Sequence, residues 1–191
     1  MLETSTLIEL KENILVDIKD LETNLEWYKT SSQSARIITE ALANRTPYHD
    51  SLRQHFGQVS LIPHFLPTTA AYENLKNNGM ILISNDSLRK GLQFLYEYLY
   101  VVMVKMADID KETRGQDFAK MYRKVMLEYS PGVEARPVDY NLLFENQEFK
   151  NMITHQMMER EDVFIPYSEG ILQGMREVIQ VIDDELLLRQ K

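Results

Sequence analysis

Apolar and small side chains recur at steps of three and four from residue 6 to residue 44: Leu7, Leu10, Ile14, Ile18, Leu21, Leu25, Tyr28, Ser32, Ala35, Thr39 and Leu42. Steps of that size return to one face of an α-helix, so this stretch is expected to form one long amphipathic helix that opens a bundle. Pro47 stops it, because the residue before a proline avoids helical angles. The run Ile14, Ile18, Leu21 inserts an extra four relative to strict heptads, a stutter that unwinds a supercoil locally. Residues 31–34 are polar and form its weakest part.

The rest of the chain is expected to be helical too. Only 7 glycines and 6 prolines in 191 residues leave too few tight turns for an all-β fold. With no linker visible, residues 1–191 read as a single helical domain. There is no cysteine, which excludes disulfides, thiolate catalysis and zinc ribbons. Lys and Arg number 21 against 29 Asp and Glu, and a net charge of −8 disfavours a phosphate backbone as partner, so no nucleic acid is expected. The longest apolar run, residues 98–104, falls well short of the roughly 20 residues a membrane span needs. The N-terminus lacks the charged start and apolar centre of a signal peptide.

After Pro47 come a short amphipathic piece at 51–56 and an extended loop anchored by Leu61, Ile62, Phe65 and Leu66. Thr68 or Thr69 can cap a short helix that Asn77, Asn78 and Gly79 terminate, Gly79 suiting the left-handed position past a helix C-terminus, where a Cβ would clash. Ser84, Asn85 or Asp86 caps the next helix, whose stripe is Leu88, Leu92, Leu95, Leu99, Val102 and Met106, widened by Phe94, Tyr98 and Val101. Phe118, Met121, Tyr122 and Val125 continue the period to a helix end near Glu128, and 130–137 is the clearest loop. Phe149, Met152, Ile153 and Met157 mark a helix that Pro166 interrupts or kinks. A last helix from Ser168 carries Leu172, Met175, Ile179, Ile182 and Leu186. The expected fold is all-α: four to five helices, long N- and C-terminal helices antiparallel, and a short helix-turn-helix insert around Gly79.

No catalytic, nucleotide or metal signature stands out. His49, His55, His64 and His155 lack the spacing of a helical metal site. Residues 108–112 resemble the start of a calcium loop but have no glycine at its sixth position and Ala119 at its twelfth. The methionines sit at core spacing, where pliable packing explains them. One cluster remains as a candidate ligand site: Tyr72, Lys76, Asn85 and Arg89 flank the Gly79 turn and could converge on a small anion near a helix N-terminus. The structural alternative has Asn85 capping, Lys76 solvated, Arg89 tying down the loop and Tyr72 packing.

Tyr72, Leu75-Lys76, Gly79, the apolar run ending at Ile83, Asn85, Leu88-Arg89 and Leu92 together resemble the hallmark segment of an uncharacterised bacterial family, a domain of unknown function. In that family a basic N-terminus and one membrane helix precede a long helix and this segment. The membrane helix is missing from this sequence, and Leu95-Tyr96 stands where the family tends to have paired tyrosines. The resemblance implies an extracytoplasmic domain tethered near a bacterial membrane, with membrane contact only through a segment outside this sequence, and it carries no activity with it. No cofactor is expected. The reading is a non-enzymatic scaffold or protein-interaction domain, partnered or self-associating through its long helices. A small-molecule sensor is the alternative.

Overall fold

The computed structural model describes residues 2–109, 111–112 and 115–189, and the protein is mostly helical. The expected first helix is present as α1 (Leu2–Ala43), followed by α2 (Leu52–Gln58) and α3 (Ala70–Asn78). Next come α4 (Asp86–Phe94) and α5 (Tyr100–Ile109), joined without a break by a π turn over Leu95–Leu99. After α6 (Gly115–Val125) lie β1 (Met126–Ser130), β2 (Glu134–Pro137) and the short α7 (Tyr140–Leu143). α8 (Gln147–Glu159) and α9 (Ile165–Leu188) are joined by a second π turn, Arg160–Phe164. No helix among the described residues is long and apolar enough to cross a membrane.

The stutter read in α1 is absent from its packing. Leu7, Ile14, Leu21, Tyr28, Ala35 and Leu42 are buried at an unbroken interval of seven, and so are Leu10, Asp17, Asn24, Ser31 and Ile38. Three polar residues thus occupy successive seam positions of a heptad pattern, and an apolar template skips them.

The backbone contacts divide the chain into two compact units, each assembled from separated segments. The first comprises the chain to Thr23, His64–Met106 and everything from Tyr167. Here the first and last helices pack antiparallel: Glu3 pairs with Arg189, Lys11 with Asp183 and Glu22 with Arg176, so the partner number falls as the helix advances. The second comprises Asn24–Pro63 and Ala107–Pro166, with a core of Ile38, Phe56, Tyr122, Leu143, Phe149 and Ile153 among others.

Two expectations fail in the second unit. The helix ends at Val125 rather than near Glu128, and the supposed loop forms an antiparallel hairpin in which Tyr129 pairs with Ala135 and Ser130 with Glu134. Only Met126 of β1 is buried, so the strand lacks the alternation that would reveal it. Gly132, at φ 75°, supplies the turn. The hairpin lies on α2 so closely that a Cβ on Gly57 would sit 2.2 Å from the Glu134 amide nitrogen. In the first unit Leu66, an expected anchor, is exposed, and Phe65 alone of that pair is buried.

The π turns correct the remaining expectations. Tyr100 N–H donates to Leu95 and Ile165 N–H to Arg160, each one residue beyond the α-helical partner. In the first case the buried stripe advances by one: Leu88, Leu92 and Leu95 are followed by Tyr96, Tyr100, Met103 and Ala107. Phe94, Tyr98 and Val101, expected to widen the core stripe, are 55%, 56% and 40% exposed. In the second, Pro166 neither breaks nor ends the helix, which runs unbroken over 147–188. Arg160, Phe164 and Ser168 are all buried at steps of four, each of which would turn an α-helix about 40° too far. The extra residue absorbs that error one turn ahead of a proline that has no N–H to offer.

Candidate functional site

Tyr72, Lys76, Asn85 and Arg89 all lie in the first unit, where they form two pairs with separate partners. Tyr72 Oη donates to Glu97 Oε1 at 2.9 Å, and Lys76 Nζ lies 3.3 Å from the same oxygen and 5.7 Å from the Tyr72 ring centre. Burial, then the hydrogen bond to Glu97, holds the Tyr72 phenol above its ordinary range. Glu97 is held below the ordinary carboxylate range by Tyr72 and then Lys76.

Asn85 and Arg89 belong to the start of α4. Asn85 Oδ1 accepts from the Leu88 amide at 3.0 Å, a helix cap, while its Nδ2 donates to Glu185 at 2.6 Å. Arg89 donates to the Ile83 and Ser84 carbonyls and to Asp86, fastening the strap that leaves the 3₁₀ turn Met80–Leu82. Gly79 has φ 97° and ψ 125°, a conformation that favours glycine but lies outside the left-handed helical basin. Thr69 holds the cap position of α3 without a side-chain hydrogen bond. Among the interactions of the described residues, none joins the Tyr72–Lys76 pair to the Asn85–Arg89 pair.

The π turn between α4 and α5 creates two surfaces that the sequence does not announce. Its inner side carries Tyr96 and Tyr100, 6% and 1% exposed, toward Asp17, itself 1% exposed. Tyr96 stacks on Tyr72 with centroids 4.3 Å apart, and Tyr100 meets Phe65 edge to face at 5.2 Å. Asp17 Oδ1 accepts from the Thr68 amide at 2.8 Å. Its Oδ2 and the Tyr96 and Tyr100 hydroxyls are buried without a hydrogen bond of normal geometry among the described residues. Burial raises the Asp17 carboxyl, and burial together with the Asp17 charge raises both phenols.

The outer side carries Phe94, Tyr98 and Val101 at i, i+4 and i+7, with Phe94 and Tyr98 stacked 5.2 Å apart. Beside them runs a groove of about 250 Å³ between α4 and α9, floored by Gly91, Leu95, Leu99, Gly174 and Val178 and edged by Glu177. A Cβ on Gly174 would lie 3.3 Å from Leu99 Cδ1, a tight approach, whereas one on Gly91 would make ordinary contact with Val178 Cγ2 at 3.6 Å.

The histidines are otherwise engaged or apart: His55 bonds Ser34 at 3.1 Å, His49 bonds Ser51 at 2.9 Å, and His155 lies 3.8 Å from Glu159. No group of three His, Cys, Asp or Glu among the described residues could hold a metal ion. Asp110, in the segment likened to a calcium loop, lies outside the described residues. No protein-family model matches the chain, and no curated protein or solved structure is significantly similar to it.

Proposed function

We propose that the chain is a non-enzymatic interaction module whose first unit receives an amphipathic helix of a partner protein in the groove between α4 and α9. The observation that carries this reading is the exposed stripe Phe94, Tyr98 and Val101 beside a glycine-floored apolar channel. Phe94 belongs both to the stripe and to the groove wall, so the exposed apolar surface and the channel are continuous, the kind of surface on which an amphipathic helix lays its apolar face. Contiguous exposed apolar surface of this kind is what a partner covers. The groove edge carries Glu177, Asp184 lies further along α9, and the chain as a whole bears −8, so a partner helix with a basic polar face is the complementary occupant. A second copy would bring like charge to like charge.

The likeness of the Tyr72–Leu92 segment extends this reading to location. On its strength we propose that the module works on the extracytoplasmic side of a bacterial membrane, held by an anchor that the described helices do not supply.

Fluorescence titration with an 18-residue Leu/Lys amphipathic peptide, against a Leu/Glu counterpart, tests the docking face. The expected result is saturable binding of the basic peptide alone, lost in Phe94→Ser/Tyr98→Ser with helicity unchanged. Equal binding of both peptides, or equal binding by the variant, would contradict it.

A further inference from the structure

The second unit holds two bordering cavities of different chemistry. One, of about 190 Å³, is walled mainly by Ile62, Phe118, Met152 and Gln156. Asp117 and His155 also line it, and its polar lining is only partly committed, Gln156 Oε1 being buried without a partner among the described residues. Ser60 Oγ donates to the Gly57 carbonyl at 2.6 Å, and the Gln156 amide donates to the Val59 carbonyl. Such a cavity suits an apolar body, since an apolar cavity of about 150 Å³ stays dry and accepts a benzene-sized guest. The other, of about 600 Å³, is bordered by Lys120, Arg123 and Lys124 of α6 with Glu148 of α8. Asp117 and Met152 belong to both walls, so the cavities meet there.

The charge on that border is opposite to the chain's. Three cations face Asp117 and Glu148, and Asp117 is already paired with Lys120 at 3.4 Å. Arg123 and Lys124 are both exposed. A chain of net charge −8 that gathers three cations on one side of one helix, at the edge of an apolar cavity, presents the two halves of an amphiphile's complement.

We propose that the second unit binds a small amphiphilic carboxylate, its apolar chain or ring in the cavity of Ile62, Phe118 and Met152 and its anionic head on Lys120, Arg123 and Lys124. Recognition needs both parts. The apolar body provides burial, and the guanidinium and ammonium groups select the anion.

Calorimetric titration of the full chain with decanoate and decanol, each below its aggregation threshold, tests this. Decanoate is expected to bind one to one and about tenfold or more tighter than decanol, the discrimination worth roughly one charge-assisted contact. Lys120→Glu/Arg123→Glu/Lys124→Glu, at three exposed positions that leave the core intact, is expected to abolish that preference. Ile62→Trp, which fills the cavity, is expected to weaken both ligands. Absence of saturable decanoate binding, equal affinity for decanol, or an unchanged triple variant would overturn the proposal. So would binding to anionic-lipid vesicles with none to free decanoate, which would assign the basic face to a membrane surface.

Discussion

The π turns at Leu95–Leu99 and Arg160–Phe164 do the same geometric thing to different ends. Each adds one residue to a long helix and advances its buried stripe. The turn at Arg160–Phe164 is matched by a proline two residues later, and the charge it buries is enclosed. Arg160 is 0% exposed, its guanidinium 5.0 Å from the Tyr28 ring centre and 4.8 Å from that of Phe164. The turn at Leu95–Leu99 has no proline. It brings two phenols to a buried carboxylate, and leaves Phe94, Tyr98 and Val101 largely in solvent. Arg160 lies beside Tyr28 and Phe164, which stack on one another with centroids 4.9 Å apart, so its charge is met by aromatic faces in a fully enclosed core. A buried carboxylate with no cation against it among the described ion pairs and an exposed aromatic stripe are what stability alone would remove, and such local costs gather where a protein makes contacts.

On that contrast, removing the two buried charges is expected to have opposite effects. Arg160→Ala strips a fully buried side chain from two aromatic rings and is expected to cost about 3 kcal/mol in urea unfolding. A loss within experimental error would mean that Arg160 is no more structural than Asp17. Asp17→Asn keeps the acceptor for the Thr68 amide and discards a buried charge, so a gain of about 1 kcal/mol at neutral pH is expected. The sign follows from linkage. Asp17's carboxyl is raised on folding, so its contribution favours the fold below the ordinary carboxylate range and is lost as pH rises through the raised value. The variant should lack that decline, and equal decline in both proteins would remove Asp17 as its source.

The acid side belongs to another part of the first unit. Burial alone would raise Glu3, but the Ser84 amide, Arg189 and the Ser84 hydroxyl outweigh it, and Glu185 is lowered by Asn85 and then Arg189. Groups lowered on folding stabilise above the ordinary carboxylate range and lose that contribution as pH falls through their folded values. Arg189→Ala is expected to cost about 0.5 kcal/mol at pH 7 and less at pH 3, measured by thermal unfolding. An effect that grows on acidification would contradict the pairing. The smallest stability change is expected at the outer stripe: Phe94→Ser/Tyr98→Ser should shift unfolding by under about 0.5 kcal/mol, because neither side chain is buried. A large loss would show that the stripe serves the fold.

What could be read from the residues divides along the same line. α1 was visible because Leu7 through Leu42 mark one face, and the Asn85 cap because Ser84-Asn-Asp86 follows a glycine stop. The seam residues Asp17, Asn24 and Ser31 were hidden by their polarity, so a regular heptad looked like a stutter. Pro166 announced an irregularity at the second π turn, though as a break rather than an added residue. Nothing in residues 95–99 announces the first, because one extra residue in a run of Leu and Tyr leaves composition and approximate period unchanged. The Tyr72, Lys76, Asn85 and Arg89 cluster was legible as four residues around one turn. That it separates into pairs depends on Glu97 and Glu185, the second of which is a hundred residues beyond Asn85 in the chain.

The most direct test of the docking face is hydrogen exchange of the full chain with and without the Leu/Lys peptide, read residue by residue. Added protection is expected in residues 86–101 and 174–181, absent in Phe94→Ser/Tyr98→Ser. Binding without protection there, or protection that persists in the variant, would contradict it.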